Sequence, residues 1–188
     1  MEIILLRHGK PLIDNTVKMS PAEFGGWVKD YDRAGIDTNI APPNSAKEKA
    51  HQSNCVVCSH LTRSIESARV LDLEKVHYTS ELFRECEIPH ANLEWPKLSA
   101  LSWTVLFRVA QLFGYAPYCE SHQQIKCRAQ ECTDQLAELS RTHKSVLFVG
   151  HGTLIWFIHK RLLRGGWTGP KAAARRHWEF GVYEKNGA

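Results

Sequence analysis

Short apolar runs bounded by polar turns alternate with longer stretches in which apolar residues recur every three or four positions, and this alternation predicts a fold of mixed strands and helices. The run Ile3-Ile4-Leu5-Leu6 predicts a first strand over 2–7, and Asn54 to Ser59 and Ser145 to Val149 read as two further buried strands. A fourth strand is predicted around Val76 to Thr79, and a terminal one from His177 to Glu184, after the turn at Gly165 to Pro170. Ser20-Pro21-Ala22-Glu23 combines a capping serine, a proline at the first helical position and a glutamate that can complete a capping box, so a helix is predicted over about 21–34. Ser45-Ala46-Lys47-Glu48 reads as a second box opening a short helix, and Thr62 to Leu71 as a third helix.

In Leu98 to Phe113 the apolar positions 101, 105, 106, 109, 112 and 113 predict an amphipathic helix. A longer helix capped by Ser121 should bury Ile125, Ala129, Cys132, Leu136 and Leu139, and a last one should start at His151 and run to Leu163. Such alternation favours an α/β three-layer sandwich: a mostly parallel central sheet with helices on both faces. At 188 residues one domain over 1–188 is expected, long enough to close a core without disulfides.

Composition removes several classes. A 23% share of charged residues with a net charge of +4 argues against disorder and is compatible with anionic substrates, but no basic block or interleaved aromatic stripe suggests nucleic acid. No apolar stretch approaches the roughly 20 residues needed to cross a bilayer, and the start of the chain has no secretory pattern, so a cytoplasmic protein without a membrane partner is expected. Six cysteines include the pair Cys55 and Cys58, spaced like half a zinc site. Residues three apart on a strand point to opposite faces, so no metal is expected there and buried thiols are.

The chemistry collects where strands end. Arg7-His8-Gly9 follows the first strand, Ser59-His60-Leu61-Thr62-Arg63 follows the second and opens a helix, and Gly150-His151-Gly152 follows a later one. In open α/β sheets ligands bind beyond the carboxyl ends of the strands, so the two imidazoles should converge there. Free amides at a helix start favour an anion, and Arg63 can add a bidentate contact. Glu85, in a loop after another strand, can hold a proton near the site. Arg84 and the segment Arg175-Arg176-His177 read as a charged loop side chain and a solvated turn. Two arginines, two histidines and a carboxyl suit phosphoryl transfer, in which fixed cations neutralise the non-bridging oxygens and a neutral imidazole attacks phosphorus.

These motifs resemble the histidine phosphatase superfamily, which includes the cofactor-dependent phosphoglycerate mutases. Arg7-His8-Gly9, the stretch Ser59 to Ala68 with Ser67 in a threonine place, Glu85 and Gly150-His151-Gly152 match in order and spacing. The resemblance implies a phosphoglycerate mutase-like fold and a metal-independent phosphomonoesterase without cofactor. It assigns His8 as the phosphorylated nucleophile, Arg7, Arg63 and His151 as phosphate-binding groups, and Glu85 as acid and then base, with Glu87 two positions on as the alternative. Lys10 stands where many relatives carry glutamate, Asp14 where asparagine is often found with Asn15 one place later, and no glycine follows Glu85.

A small phosphorylated metabolite or a phosphoprotein is the expected partner, with specificity residing in the 10–44 and 86–120 regions. The alternatives are a phosphoprotein (phosphohistidine) phosphatase, a phosphoglycerate-type mutase and a non-catalytic phosphoryl-binding module. Length favours hydrolysis over the mutase, since the resembling mutases carry insertions that this chain lacks.

Overall fold

The structure is a computed structural model, and it describes residues 1–186. Five strands form one sheet in the order β4 (Tyr78–Ser80), β3 (Cys55–Ser59), β6 (Ser145–Gly150), β1 (Glu2–Arg7), β7 (Phe180–Glu184). The first four are mutually parallel and β7 runs antiparallel to β1, so the sheet is mostly parallel as the alternation predicts. Side chains leave a strand alternately up and down, and the two faces divide accordingly. Ile3, Leu5, Val57 and Phe148 join one core, packed under helices α5 (His122–His143) and α6 (Gly152–Arg164). Ile4, Leu6, Val56 and Val149 join the other, covered by α2 (Asn44–His51) and α3 (Thr62–Val70). Cys55 lies in the first core and Cys58 in the second, so the two thiols are on opposite faces of the sheet.

A third, smaller cluster of Met19, Phe24, Ala100, Trp103 and Phe107 joins α1 (Pro21–Arg33) to α4 (Ala100–Leu112). A two-stranded sheet, β2 (Lys18–Met19) with β5 (Leu98–Ser99), ties these helices together. Nothing in the apolar pattern announces that sheet, because two residues are too short to show alternation.

Capping chemistry behaves locally. Ser20 Oγ accepts from the Glu23 amide at 3.2 Å while the Ser20 amide donates to Glu23 Oε2 at 2.7 Å, and Ser121 makes the same reciprocal pair with Gln124. The second predicted box does not form: α2 begins at Asn44 after Pro43, and no side chain caps it. Proline already presets the φ that a helix entry needs, so the start moves ahead of Ser45.

The helix predicted at Leu98–Phe113 exists as α4 but is turned the other way from its expected stripe. It buries Ala100, Trp103, Phe107 and Gln111, while Leu101, Val105, Leu106, Val109, Leu112 and Phe113 are exposed. One large aromatic, Trp103, outweighs several aliphatic side chains, and its indole also donates to the Met19 carbonyl at 2.7 Å. The fourth strand begins two residues later than predicted and ends one later, and the terminal strand begins at Phe180 rather than His177. Trp178 has a φ of 64°, which interrupts extension there.

Candidate active site

Because β6 lies between β1 and β3, three successive strand ends form a row. Arg7 pairs with Gly150 across β1 and β6, Cys58 pairs with Val149 across β3 and β6, and the residues just beyond are His8, His151 and Ser59. The rings of His8 and His151 have centroids 5.1 Å apart. Both side chains are fully buried.

Hydrogen bonding distinguishes the nitrogens of His8. Nδ1 lies 2.6 Å from the Gly9 carbonyl oxygen, which can only accept, so Nδ1 carries the hydrogen. Nε2 keeps the lone pair and has no partner. Burial first, then the facing His151 imidazole and the Arg63 charge, hold the His8 pKa well below the usual value, so the ring is neutral.

For His151, Nε2 lies 2.6 Å from Ser59 Oγ, and that oxygen already accepts from the Leu61 amide at 3.3 Å. With the Ser59 hydroxyl donating to Nε2, Nδ1 carries the hydrogen and points its buried N–H at no protein acceptor. Burial, then Arg63 and Arg7, keeps this imidazole neutral as well.

Arg63, in the first turn of α3, is fully buried. Its Nη1 donates to the Tyr31 carbonyl at 2.9 Å, its Nη2 to Asp32 Oδ1 at 3.2 Å, and its guanidinium lies 4.5 Å from the Tyr31 ring centroid. The end of α1 thus grips one edge of the guanidinium and leaves Nε without a partner. Arg7 donates through Nη1 to the Arg175 carbonyl, and its Nε is likewise buried and unpartnered. Two glycines permit this closeness. A Cβ at Gly152 would stand 3.2 Å from Arg7 Nε, and one at Gly9 would meet the Trp178 ring at 2.4 Å. Gly9 therefore serves the packing of Trp178 and not a left-handed turn; among the described residues the glycines with positive φ are Gly114 and Gly166.

Glu85 sits at the start of α6. Its Oε1 accepts from the Cys86 and Leu154 amides at 2.8 and 3.2 Å, and its Oε2 from the Thr153 amide at 3.3 Å. Burial raises its pKa, but the Arg108 charge and these amides outweigh burial and leave it below the ordinary glutamate value, so it is ionised here. Glu87 is more exposed, pairing with Arg84 at 3.6 Å and accepting from the Glu120 amide at 2.8 Å.

The loop that carries Glu85 is strapped from behind. Arg128 donates to the Leu82 and Arg84 carbonyls at 2.9 Å each and forms a two-toothed pair with Glu120 at 2.9 and 2.5 Å. Arg84 closes onto the same Glu120 at 3.1 Å, so it is a structural partner and not a free loop charge.

Three residues at the site were not expected from sequence. Tyr31 and Asp32 anchor Arg63 from a distant helix, and no local pattern marks them. His177 was read within a solvated turn; its ring lies 5.6 Å from that of His8, and it lines the same cavity as Arg7 and Glu85. Burial, then Arg7 and Lys10, lowers its pKa to about 4. The cavity has a volume of about 950 Å³ and is walled by the 10–16 loop, α1, the 85–88 segment and α4. Asp14 is occupied within that wall, accepting from Thr16 at 2.7 and 2.6 Å.

Buried neutral histidines predict an acid-sensitive fold. In the unfolded chain each titrates near 6.5, whereas in the native protein the pKa values of His8 and His151 are depressed. The unfolded state therefore binds more protons below that pH, so their contribution to stability is fully present above about pH 6.5 and is lost as pH falls. The limiting slope is about 1.4 kcal/mol per pH unit for each histidine. Urea unfolding should show stability dropping between pH 6.5 and 5, above the range in which the carboxylates titrate. His8→Asn should remove one histidine's share of the slope, and a flat profile in both proteins would contradict the burial assigned to these rings.

Neutral imidazoles and guanidiniums converging at the carboxyl ends of parallel strands define an anion-handling α/β enzyme. A family profile described as histidine phosphatase superfamily (branch 1) matches residues 45–179, a span that holds Arg63, Glu85 and His151 and that the fold places against Arg7 and His8. The chain belongs to that superfamily and is a phosphatase by class.

Solved structures share the fold. The open reading frame Rv3214 of Mycobacterium tuberculosis is 18% identical with a TM-score of 0.62, covering 96% of this chain and 89% of its own. A putative alpha-ribazole-5'-P phosphatase of Escherichia coli K-12 is 14% identical with a TM-score of 0.61, covering 99% and 91%. The mycobacterial glucosyl-3-phosphoglycerate phosphatase Rv2419c is 19% identical with a TM-score of 0.57, covering 87% and 79%. No curated protein matches the sequence significantly. Among the described residues, no helix is long and apolar enough to cross a membrane.

Proposed function

We propose that this protein is a phosphomonoesterase that hydrolyses a small phosphorylated metabolite through a phosphohistidine on His8, with residues 1–188 acting as one domain. One observation carries the reading. Among the described residues, four buried side-chain nitrogens lack a partner: Arg7 Nε, His8 Nε2, Arg63 Nε and His151 Nδ1. Leaving buried polar groups unpaired costs about 1–3 kcal/mol each, more for charged ones. A phosphoryl group resolves all four together, its oxygens accepting from the three N–H groups and its phosphorus facing the one lone pair.

The chemistry then balances. His8 Nε2 attacks phosphorus, the ester P–O bond breaks, and the leaving oxygen takes a proton from Glu85. The dianionic phosphoryl group opposes ionisation of the neighbouring carboxyl, so bound substrate raises the pKa of Glu85 and loads the donor. Water next attacks phospho-His8, Glu85 takes the proton, and the N–P bond breaks to release inorganic phosphate and free Nε2. The charge on the transferring oxygens is met by guanidinium and imidazole N–H groups.

A cavity of about 950 Å³ adjoining the cradle, with room for a small organic group beyond the phosphoryl unit, supports a small organic ester over a phosphoprotein. That a related fold belongs to proteins described as phosphatases of glucosyl-3-phosphoglycerate and alpha-ribazole-5'-P supports the same class of substrate.

Arg63→Ala is expected to lower kcat/KM by about 10²–10³-fold, the cost typical of one lost electrostatic anchor. Inhibition by inorganic phosphate should weaken in parallel, and an unchanged rate would remove Arg63 from the cradle. The reading as a whole is tested by quenching turnover of a labelled ester with denaturant. Acid-labile, alkali-stable label at residue 8 is expected; a protein that binds phosphate yet takes no label from any reactive ester is a binding module.

A further inference from the structure

The face that α4 turns away from the core carries an apolar stripe. Leu101, Val105, Val109 and Leu112 recur at helical spacing, and each is between 47% and 59% exposed. All four line the cavity that reaches Arg7 and Glu85, together with Trp27 and the exposed Trp156. A helix normally buries its apolar stripe, and an apolar patch continuous with a polar cradle marks the place for the rest of a ligand.

We infer that α4 forms the specificity wall for the substrate's alcohol portion, and that the substrate is a phosphomonoester with a hydrocarbon-rich, uncharged leaving group. This inference rests on the phosphoryl cradle proposed above. Volume supports it, because about 950 Å³ exceeds what a phosphate ion needs and matches an organic body of drug size. Charge supports it as well. Arg108, the cation on this wall, is already committed to the Cys86 and Glu87 carbonyls and to Gln111 Oε1. Arg108 keeps its charge, but the ionised Glu85 carboxylate lies within its field and Glu87 lines the same wall, so a second anionic group beside α4 would face a cation that is already balanced. Lys10 and Arg175, the other cavity cations, come from the segments that carry His8 and His177, at the phosphoryl end.

The test is a series of n-alkylphosphonates from ethyl to octyl, used below their micelle concentrations and titrated by calorimetry against the intact protein. Headgroup charge is constant along the series, and binding requires no turnover. Affinity should rise about three- to fourfold per methylene until the wall is covered. The double variant Val105→Ser with Val109→Ser should cut the octyl-to-ethyl affinity ratio at least tenfold.

A flat series, or a rise that survives in the double variant, overturns the inference. So does a concentration-dependent dimer in sedimentation that abolishes octylphosphonate binding, because the stripe would then belong to a second copy of the chain. Labelling of His8 by nitrophenyl phosphate, scored on the same preparation, separates the two ideas. Label with a flat series removes only the apolar wall, and a rising series without label removes the phosphatase mechanism while keeping the wall.

Discussion

His8→Ala is expected to lose turnover by at least about 10⁴-fold while keeping its fold, the scale seen when a covalent nucleophile is removed. The fold survives because the backbone amide of residue 8 still donates to the Gly150 carbonyl at 2.9 Å, while the lost ring donates only to its neighbour Gly9. Removing a buried neutral imidazole also removes a group that acid would have to charge. The decisive measurement is rapid-quench labelling alongside steady-state rates, with circular dichroism as the check on folding. Persistent label in the variant would move the nucleophile to His151, the other fully buried imidazole at the site. Unchanged turnover would discard covalent catalysis through residue 8.

Glu85→Gln is expected to slow alkyl phosphates by about 10²-fold or more, within the range of general acid catalysis, and nitrophenyl phosphate far less. The difference follows from the leaving group: an alkoxide needs a proton as the P–O bond breaks, whereas a nitrophenolate departs without one. Glutamine keeps one acceptor oxygen, enough for the Cys86 and Leu154 amides that Oε1 now serves, and gives up only the 3.3 Å contact from the Thr153 amide, so the fold should be preserved. The rates should be compared at saturating and limiting substrate, because a change confined to KM would indicate positioning and not proton transfer. Equal losses on both esters would transfer the donor role to Glu87 or to water. The ionised state of Glu85 in the ligand-free protein is consistent with a donor loaded by the substrate's own charge.

Much of the fold was legible because strands and helices are periodic objects. Ile3 to Leu6, Val146 to Val149 and the stripe Ile125, Ala129, Cys132 and Leu136 are buried as their spacing predicts. The capping box at Ser20 and the cap at Ser121 were legible because their hydrogen bonds close within four residues. The box at Ser45 failed since Pro43 offered an equally good entry earlier. On α4 the spacing misleads: the six apolar positions from Leu101 to Phe113 mark one stripe, whereas the helix buries the face that carries Trp103 and Phe107, whose rings bury more area.

At the site the strand-end motifs could be read because residue type and neighbouring strand occur together in sequence. The anchors could not. Tyr31 and Asp32 reach Arg63 from another helix, Arg128 and Glu120 strap the Glu85 loop from outside it, and His177 comes to His8 after a segment with no periodicity. Such partnerships depend on how α1, α5 and the 173–178 segment cross the sheet end.

Local order was thus encoded residue by residue: where strands run, where helices start, and which side chains emerge at strand ends, since each of these is decided by backbone preference and apolar periodicity over a few positions. The assembled molecule alone decided which nitrogens are orphaned, which histidine tautomers result, that Glu85 is ionised and that α4 turns its aliphatic side to the cavity. Those properties depend on burial and on partners far away in sequence, and only closed packing brings such groups within hydrogen-bonding and Coulombic range.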